Sequence, residues 1–357
     1  MGIKLVSLFL TLIYTVNVVA QTTSNAEALV RQYAEAYAQG DYTTAFQSLL
    51  QLYNETHSFE SAISLAGFYI GGIGTEPNYK NAAMLYKSVA DATQYDPNNE
   101  SALLMIGFAA RQYALMEYNI NRHFSSETIN YLHKADEVSD DALALYFLGV
   151  IFLGLEPELT PFNSVKPNIP KAISYLEKSA KRNCIAAKAE LGFYYEKKGD
   201  RDKAFNYWMG AANTPLFEPS TNPSDFLSNL VNPNYSNEQI IIIRQNEAFY
   251  HLSKYYYEIN DFSNALIWSE KITIEDPDYL DALAICYAAD GQKQKSIDTF
   301  MHEYEISRDT DVLVKLAIYY YTRWHETDEA IRILEHVKGL GNTKAQNVID
   351  MINSGEY

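Results

Sequence analysis

The sequence predicts an all-α protein made of about eight stacked helical hairpins. Three observations carry that expectation. Amphipathic stretches recur in pairs from about Ala26 onward, polar turns separate the members of each pair, and each second stretch opens on a small residue, usually followed by an apolar one. Self-similarity of this kind marks an array: one hairpin cannot bury its own apolar face, so neighbours must stack to make a continuous core.

The clearest unit runs from Asn246 to Tyr279. Its first stretch carries Ala248, Phe249, Leu252, Tyr255 and Tyr256 at spacings of three and four, the period of one helical stripe. A polar turn at Asn260-Asp261-Phe262 folds back a second stretch with Ala265, Trp268 and Ile272, which stops at Asp276-Pro277. The pair that opens each second helix marks the series: Ala45-Phe46, Ala82-Ala83, Thr128-Ile129, Ala172-Ile173, Ala204-Phe205, Ala265-Leu266, Ser296-Ile297 and Ala330-Ile331. A last helix from Thr343 to Ile352 closes the array.

Composition agrees with an ordered chain. Hydrophobic residues make up 47%, enough for a continuous core, and the 29 Tyr supply large rings whose hydroxyls tolerate partial exposure in a thin structure. The net charge of −17 repels phosphate backbones and anionic membrane surfaces, so nucleic acid is not an expected partner. The two cysteines, Cys184 and Cys286, lack the short regular spacing of a disulfide scaffold. They read as small buried thiols, with a long-range bridge left open.

Residues 1–20 read as a secretory signal peptide. Lys4 ends a short basic region, Leu5 to Ala20 is apolar with scattered polar residues, and Val18 and Ala20 give the small-residue cleavage pattern. The chain is therefore expected to be exported, periplasmic in a Gram-negative cell and otherwise secreted, without stable membrane insertion. Residues 21–214 hold repeats one to five and residues 241–357 repeats six to eight with the closing helix. Between them, 215–240 is expected to be a Pro-rich linker or insertion, with Pro215, Pro219, Pro223 and Pro233 around a short helical turn at Asp225 to Val231. Pro157, Pro161 and Pro167 mark a second loop, from Glu156 to Asn168.

Catalytic constellations are thin. His325-Glu326 is followed by Glu329 where a zinc-binding motif needs a second His, and the pair reads as an exposed turn. The Gly71 to Gly74 run lacks the Lys-Ser/Thr of a phosphate loop and reads as a turn within a repeat. Asp140-Asp141 mark a helix start, where carboxylates favour the positive end of the dipole. No enzyme activity, metal or cofactor is expected. Sequons at Asn54, Asn99 and Asn234 matter only in a host that glycosylates exported proteins.

Several units resemble tetratricopeptide repeats and the related Sel-like repeats. The residues that carry the likeness are Leu191-Gly192-Phe193-Tyr194-Tyr195, the Leu-Ala-x-x-Tyr runs at Leu65 to Tyr69 and Leu316 to Tyr320, and Leu148-Gly149. The small residue after Leu lets two helices approach closely, and the turn from Gly71 to Tyr79 resembles the longer Sel-like connection. The third repeat departs from the pattern, with Ala110 at the aromatic position. The resemblance implies a right-handed solenoid whose concave side is lined by first helices. It also implies a surface that holds proteins or peptides, with Tyr146, Phe193, Glu196, Tyr250, Lys254, Tyr257, Glu258 and Tyr321 facing the groove. Aromatic side chains beside charges suit such recognition. Taken singly, each of these rings could equally pack between helices. The alternative reading is a cell-envelope factor that binds polysaccharide or peptidoglycan through the same Tyr-rich groove. A hydrolase is the least favoured, because the paired cysteines of hydrolytic Sel-like proteins are absent.

Overall fold

Short polar residues set where the helices begin. The computed structural model describes residues 24–154, 165–216 and 238–356, and among them every regular element is a helix. The expected leader at 1–20, the helical turn at Asp225 to Val231 and most of both Pro-rich loops lie outside the described residues.

Among the described residues eight hairpins are formed. They pair α1 (Ser24–Ala38) with α2 (Tyr42–Thr56), α3 (Phe59–Gly71) with α4 (Tyr79–Ala90), α5 (Glu100–Asn121) with α6 (Ser126–Ser139), and α7 (Ala142–Leu153) with α8 (Ile169–Lys181). The series continues with α9 (Ile185–Lys197) and α10 (Arg201–Ala212), α11 (Glu238–Glu258) and α12 (Phe262–Ser269), α13 (Pro277–Ala289) and α14 (Lys293–Ser307), then α15 (Thr310–Thr322) and α16 (Thr327–Gly339). The closing helix α17 spans Lys344–Ser354, two residues longer at its end than the apolar pattern suggests. The small residues marking the second helices are all interior: Ala45, Ala82, Ala172, Ala265, Ser296 and Ala330 are fully buried, and Thr128 and Ala204 nearly so.

The chain divides into two compact units, residues 1–191 with 214–241 and residues 192–213 with 242–357. In the first, α1 to α8 pack each on the next. In the second, α12 to α17 do the same around a core that includes Phe300, Leu313, Leu316, Leu334 and Ile349.

Two turn designs recur within the hairpins. In the short one, an Asp caps the second helix through its side chain and donates its backbone N–H to the first helix: Asp41 to Ala36 O at 2.9 Å, Asp200 to Tyr195 O at 3.0 Å and Asp261 to Tyr256 O at 2.9 Å. The long one uses Asn. Asn78 donates to Tyr69 O and Asn168 to Phe152 O, both at 2.8 Å, with φ of −144° and −143°. In each case the Asn side chain also accepts the N–H three residues on, so a group that the helix start leaves orphaned is satisfied. Gly72 and Gly74 take positive φ in the first long turn, and a Cβ on Gly74 would run into the Tyr42 carbonyl.

The small residue after Leu serves the close approach expected of it. A Cβ at Gly149 would lie 2.5 Å from Leu176 Cγ, and one at Gly192 would lie 2.6 Å from the Trp208 ring. Gly107 does the same in the third repeat against Ser139, so that departure is only in the aromatic.

Two expectations are corrected. The second helix of the Asn246–Tyr279 unit ends at Ser269, leaving Ile272 outside it. Pro277 does not close that unit but opens α13 at its first turn, where proline lacks only an N–H that has no helical partner, and Asp276 caps it.

Polar groups inside the helices are paired with few exceptions. Arg111 of α5 and Asp141, the cap of α7, form an ion pair at 2.8 Å with side chains 1% and 2% exposed. Ser253, Ser269 and the Cys286 thiol form a second buried cluster. Both cysteines are free and buried.

Candidate partner-binding surface

The second unit holds a cleft built from the end of α9, from α10 and from the carboxyl half of α11. Its floor is aromatic because the helices approach closely at Gly192, which brings Trp208 of α10 beneath the Phe193 ring. Trp208 is 3% exposed, and its ring stacks on His251 at 4.3 Å with an interplanar angle of 5°. Phe193 stands edge-on to both, at 4.7 Å from Trp208 and 4.9 Å from His251. Such edge-to-face contacts fix ring positions beyond what burial alone does.

Charges ring this floor. His251 Nδ1 lies 2.7 Å from Glu196 Oε2, and the hydrogen bond from His251 holds the Glu196 carboxyl below the usual carboxylate range. Burial works against that shift, and Lys254 reinforces it. On the other side Arg201 pairs with Glu258 at 2.6 Å while its guanidinium lies over the Tyr255 ring at 5.5 Å. Phe205 closes the wall 4.6 Å from Tyr255. The enclosed space is small, ≈ 60 Å³ for water-sized molecules, room for the tip of one side chain.

Four of the eight residues singled out in the sequence meet here: Phe193, Glu196, Lys254 and Glu258. Tyr250 sits beside them, half-buried, with its ring 5.4 Å from both His251 and Tyr279. Tyr257 is 36% exposed, 5.4 Å from Phe262. Tyr321 is half-buried against the core of the last hairpins. Tyr146 is not a surface residue. It is 5% exposed, because α7 is apolar around nearly its whole circumference and is enclosed on all sides.

His251, Trp208 and Arg201 complete the cleft without having been singled out. For His251 a signal existed: Glu247, His251, Lys254 and Glu258 follow one another at four, three and four residues, a single polar stripe on α11. Trp208 and Arg201 depend on how α10 lies against α11, which no local pattern in the sequence encodes.

The cleft offers opposite charges around an aromatic base. Among the described residues no three of His, Cys, Asp and Glu are grouped where a metal ion could be held. No helix among them is long and apolar enough to cross a membrane.

No family model matches the chain, and no curated protein does. Among solved structures, a Sel1 repeat protein from Oxalobacter formigenes is similar at 16% identity, covering 87% of this chain and 99% of that one with a TM-score of 0.38. A protective antigen with an SLR fold, c5321 of uropathogenic Escherichia coli, is 18% identical over 92% of this chain and 73% of its own, with a TM-score of 0.44. The TPR domain of P58(IPK) is 12% identical over 93% of this chain and 98% of its own, with a TM-score of 0.26. These are the repeat classes that the Leu-Gly-x-x-Tyr runs resemble. The repeat assignment itself rests on the eight hairpins.

Proposed function

We propose that this chain is an exported interaction repeat protein, and that its second unit grips a peptide segment of a partner protein at the cleft formed by α9, α10 and α11. The observation that carries the reading is the convergence of Phe193, Glu196, Lys254 and Glu258, from two first helices, on one aromatic base. Buried aromatic anchors surrounded by charged rims are what protein recognition sites use. The apolar leader pattern at residues 1–20 supports export.

A photo-crosslinking residue at Lys254, used on an envelope fraction, tests it. A specific adduct should form and be lost when the rim is reversed by Glu196→Lys with Glu258→Lys, while the helical circular dichroism is retained. No adduct at any salt concentration removes the reading. Cell fractionation, with a mature chain beginning at Gln21, tests export separately.

A glycan-binding reading keeps one observation in its favour, the exposed ring of Tyr257. Envelope-glycan pull-down that survives the rim reversal and is lost in Tyr257→Ala would favour it over a protein partner.

A further inference from the structure

Glu303 and Lys254, both in the second unit, are charged residues of opposite accessibility. Glu303 lies on α14 and is 4% exposed. Its Oε2 is shut from solvent with no hydrogen-bond partner, and burial pushes the carboxyl up to about 7. That oxygen is closed to a ligand. Lys254 lies on α11, is exposed, and lines the cleft formed with α9 and α10.

The charges lining this cavity are Arg201, His251 and Lys254 against Glu196 and Glu258. Both carboxylates are already engaged. Glu258 Oε2 lies 2.6 Å from Arg201, and Glu196 Oε2 lies 2.7 Å from His251 Nδ1. Lys254 is left over: among the described residues it has neither a hydrogen bond nor an ion pair. Its position in the helix does not explain this. Glu258 follows Lys254 at four residues on one face of α11, a spacing at which a helical lysine finds a carboxylate, but Arg201 of α10 draws Glu258 away. Glu196 feels the Lys254 charge, yet its hydrogen bond comes from His251.

Beside this amine the cavity wall is apolar. Ala204, Phe205, Leu252 and Tyr255 line it, with the Phe205 and Tyr255 rings half-buried and 4.6 Å apart. An unengaged ammonium next to an apolar wall complements a side chain that has a methylene stem and an anionic tip. The enclosed space admits one such tip. The two rim carboxylates repel a second anion, so a single acidic residue between neutral neighbours suits the cleft better than an acidic run.

We propose that the peptide segment gripped at the cleft presents one glutamate or aspartate side chain to it. Lys254 Nζ donates to the incoming carboxylate, and the methylene stem lies against Phe205 and Tyr255. The inference rests on the reading that the cleft grips a peptide, and it makes Lys254 the residue that selects which peptide.

A bead-bound library of random heptapeptides, acetylated at one end and joined to the resin through an amide at the other, tests this with the labelled full chain. Only side chains carry carboxylates in such a library. The peptides retained should share one acidic position. Lys254→Glu should reverse the preference at that position to Lys or Arg, with the helical circular dichroism unchanged because Lys254 is exposed. In solution, replacing the acidic residue of a retained peptide by its amide should weaken binding about tenfold. Lys254→Gln should cost as much, and the two changes together should cost no more than either alone. Retained peptides without an acidic preference overturn the proposal and leave the peptide-gripping reading in place. An acidic preference that persists in Lys254→Glu overturns the assignment to Lys254. No retained peptide at all overturns both readings.

Discussion

Asp141 in the first unit and Glu303 in the second are both buried carboxyls, and they are treated in opposite ways. Asp141 in the first unit is fully used: one oxygen accepts the Ala144 N–H at 2.9 Å as a helix cap, and the other accepts from Arg111 at 2.8 Å. Glu303 in the second unit has an orphaned oxygen and further carboxyls for company. Both are buried to a similar degree, so burial alone does not distinguish them. The difference lies in what completes each group. Asp141 is completed by partners within the fold, and one oxygen of Glu303 has none.

The sharpest way to break the comparison is to spoil the satisfied pair. Arg111→Met leaves Asp141 charged and alone in the core, and should cost about 3–5 kcal/mol in urea unfolding. Adding Asp141→Asn, which keeps the cap oxygen, should recover most of that loss. If Arg111→Met alone is neutral, the pair is not the anchor that its geometry implies.

At Glu303 the opposite sign is expected. Its carboxyl is raised in the folded chain, so between the unfolded value and about 7 the native state binds the extra proton, and stability falls as pH rises through that window. Glu303→Gln should remove this slope. It should raise stability at pH 8 by on the order of 1–3 kcal/mol, with little effect at pH 5. Paired denaturation curves at the two pH values measure it, and equal shifts at both would refute it.

Packing contrasts come next. Gly149→Ala forces a Cβ to within 2.5 Å of Leu176. It should lower stability by about 1–3 kcal/mol, whereas Gly199→Ala, with nothing within 4 Å but a φ of 75°, tests backbone strain alone. The smallest effect belongs to the turns: Asp41→Ala and Asn78→Ala each remove one cap bond and should cost about 1 kcal/mol in thermal unfolding. A much larger loss for Asn78 would mean that the long turn does more than cap.

The hairpins were legible in the sequence because each depends on local features. A small residue at Ala45, Ala82 or Ala330, a three-and-four apolar stripe and a short polar turn are all read within some thirty residues. The limits of the helices were less so. Pro277 ends one pattern and begins the next, and only the position of Asp276 as a cap decides between them. At the cleft, Glu196 and Lys254 were singled out because the resemblance to the repeat family puts exposed first-helix side chains on the groove. Tyr146 misled because its helix has no free face, a property of what surrounds α7 rather than of Tyr146. Glu303 could be found only by treating a polar letter on an apolar stripe as a question, since its neighbours come from α13 and α15.

The Arg111–Asp141 pair also bears on how the array comes apart. A row of hairpins melts piecemeal when each is held to the next by contacts of similar strength. Arg111 belongs to the third repeat, yet it holds the residue that starts the fourth, and Ser179 of α8 bonds back to Ala142 O at 2.6 Å within that fourth repeat. Opening the third hairpin therefore takes the counter-ion from the residue that caps the fourth. The two repeats should exchange their amide protons as a single block, a length of chain that opens as one unit while helices farther along retain their own timing.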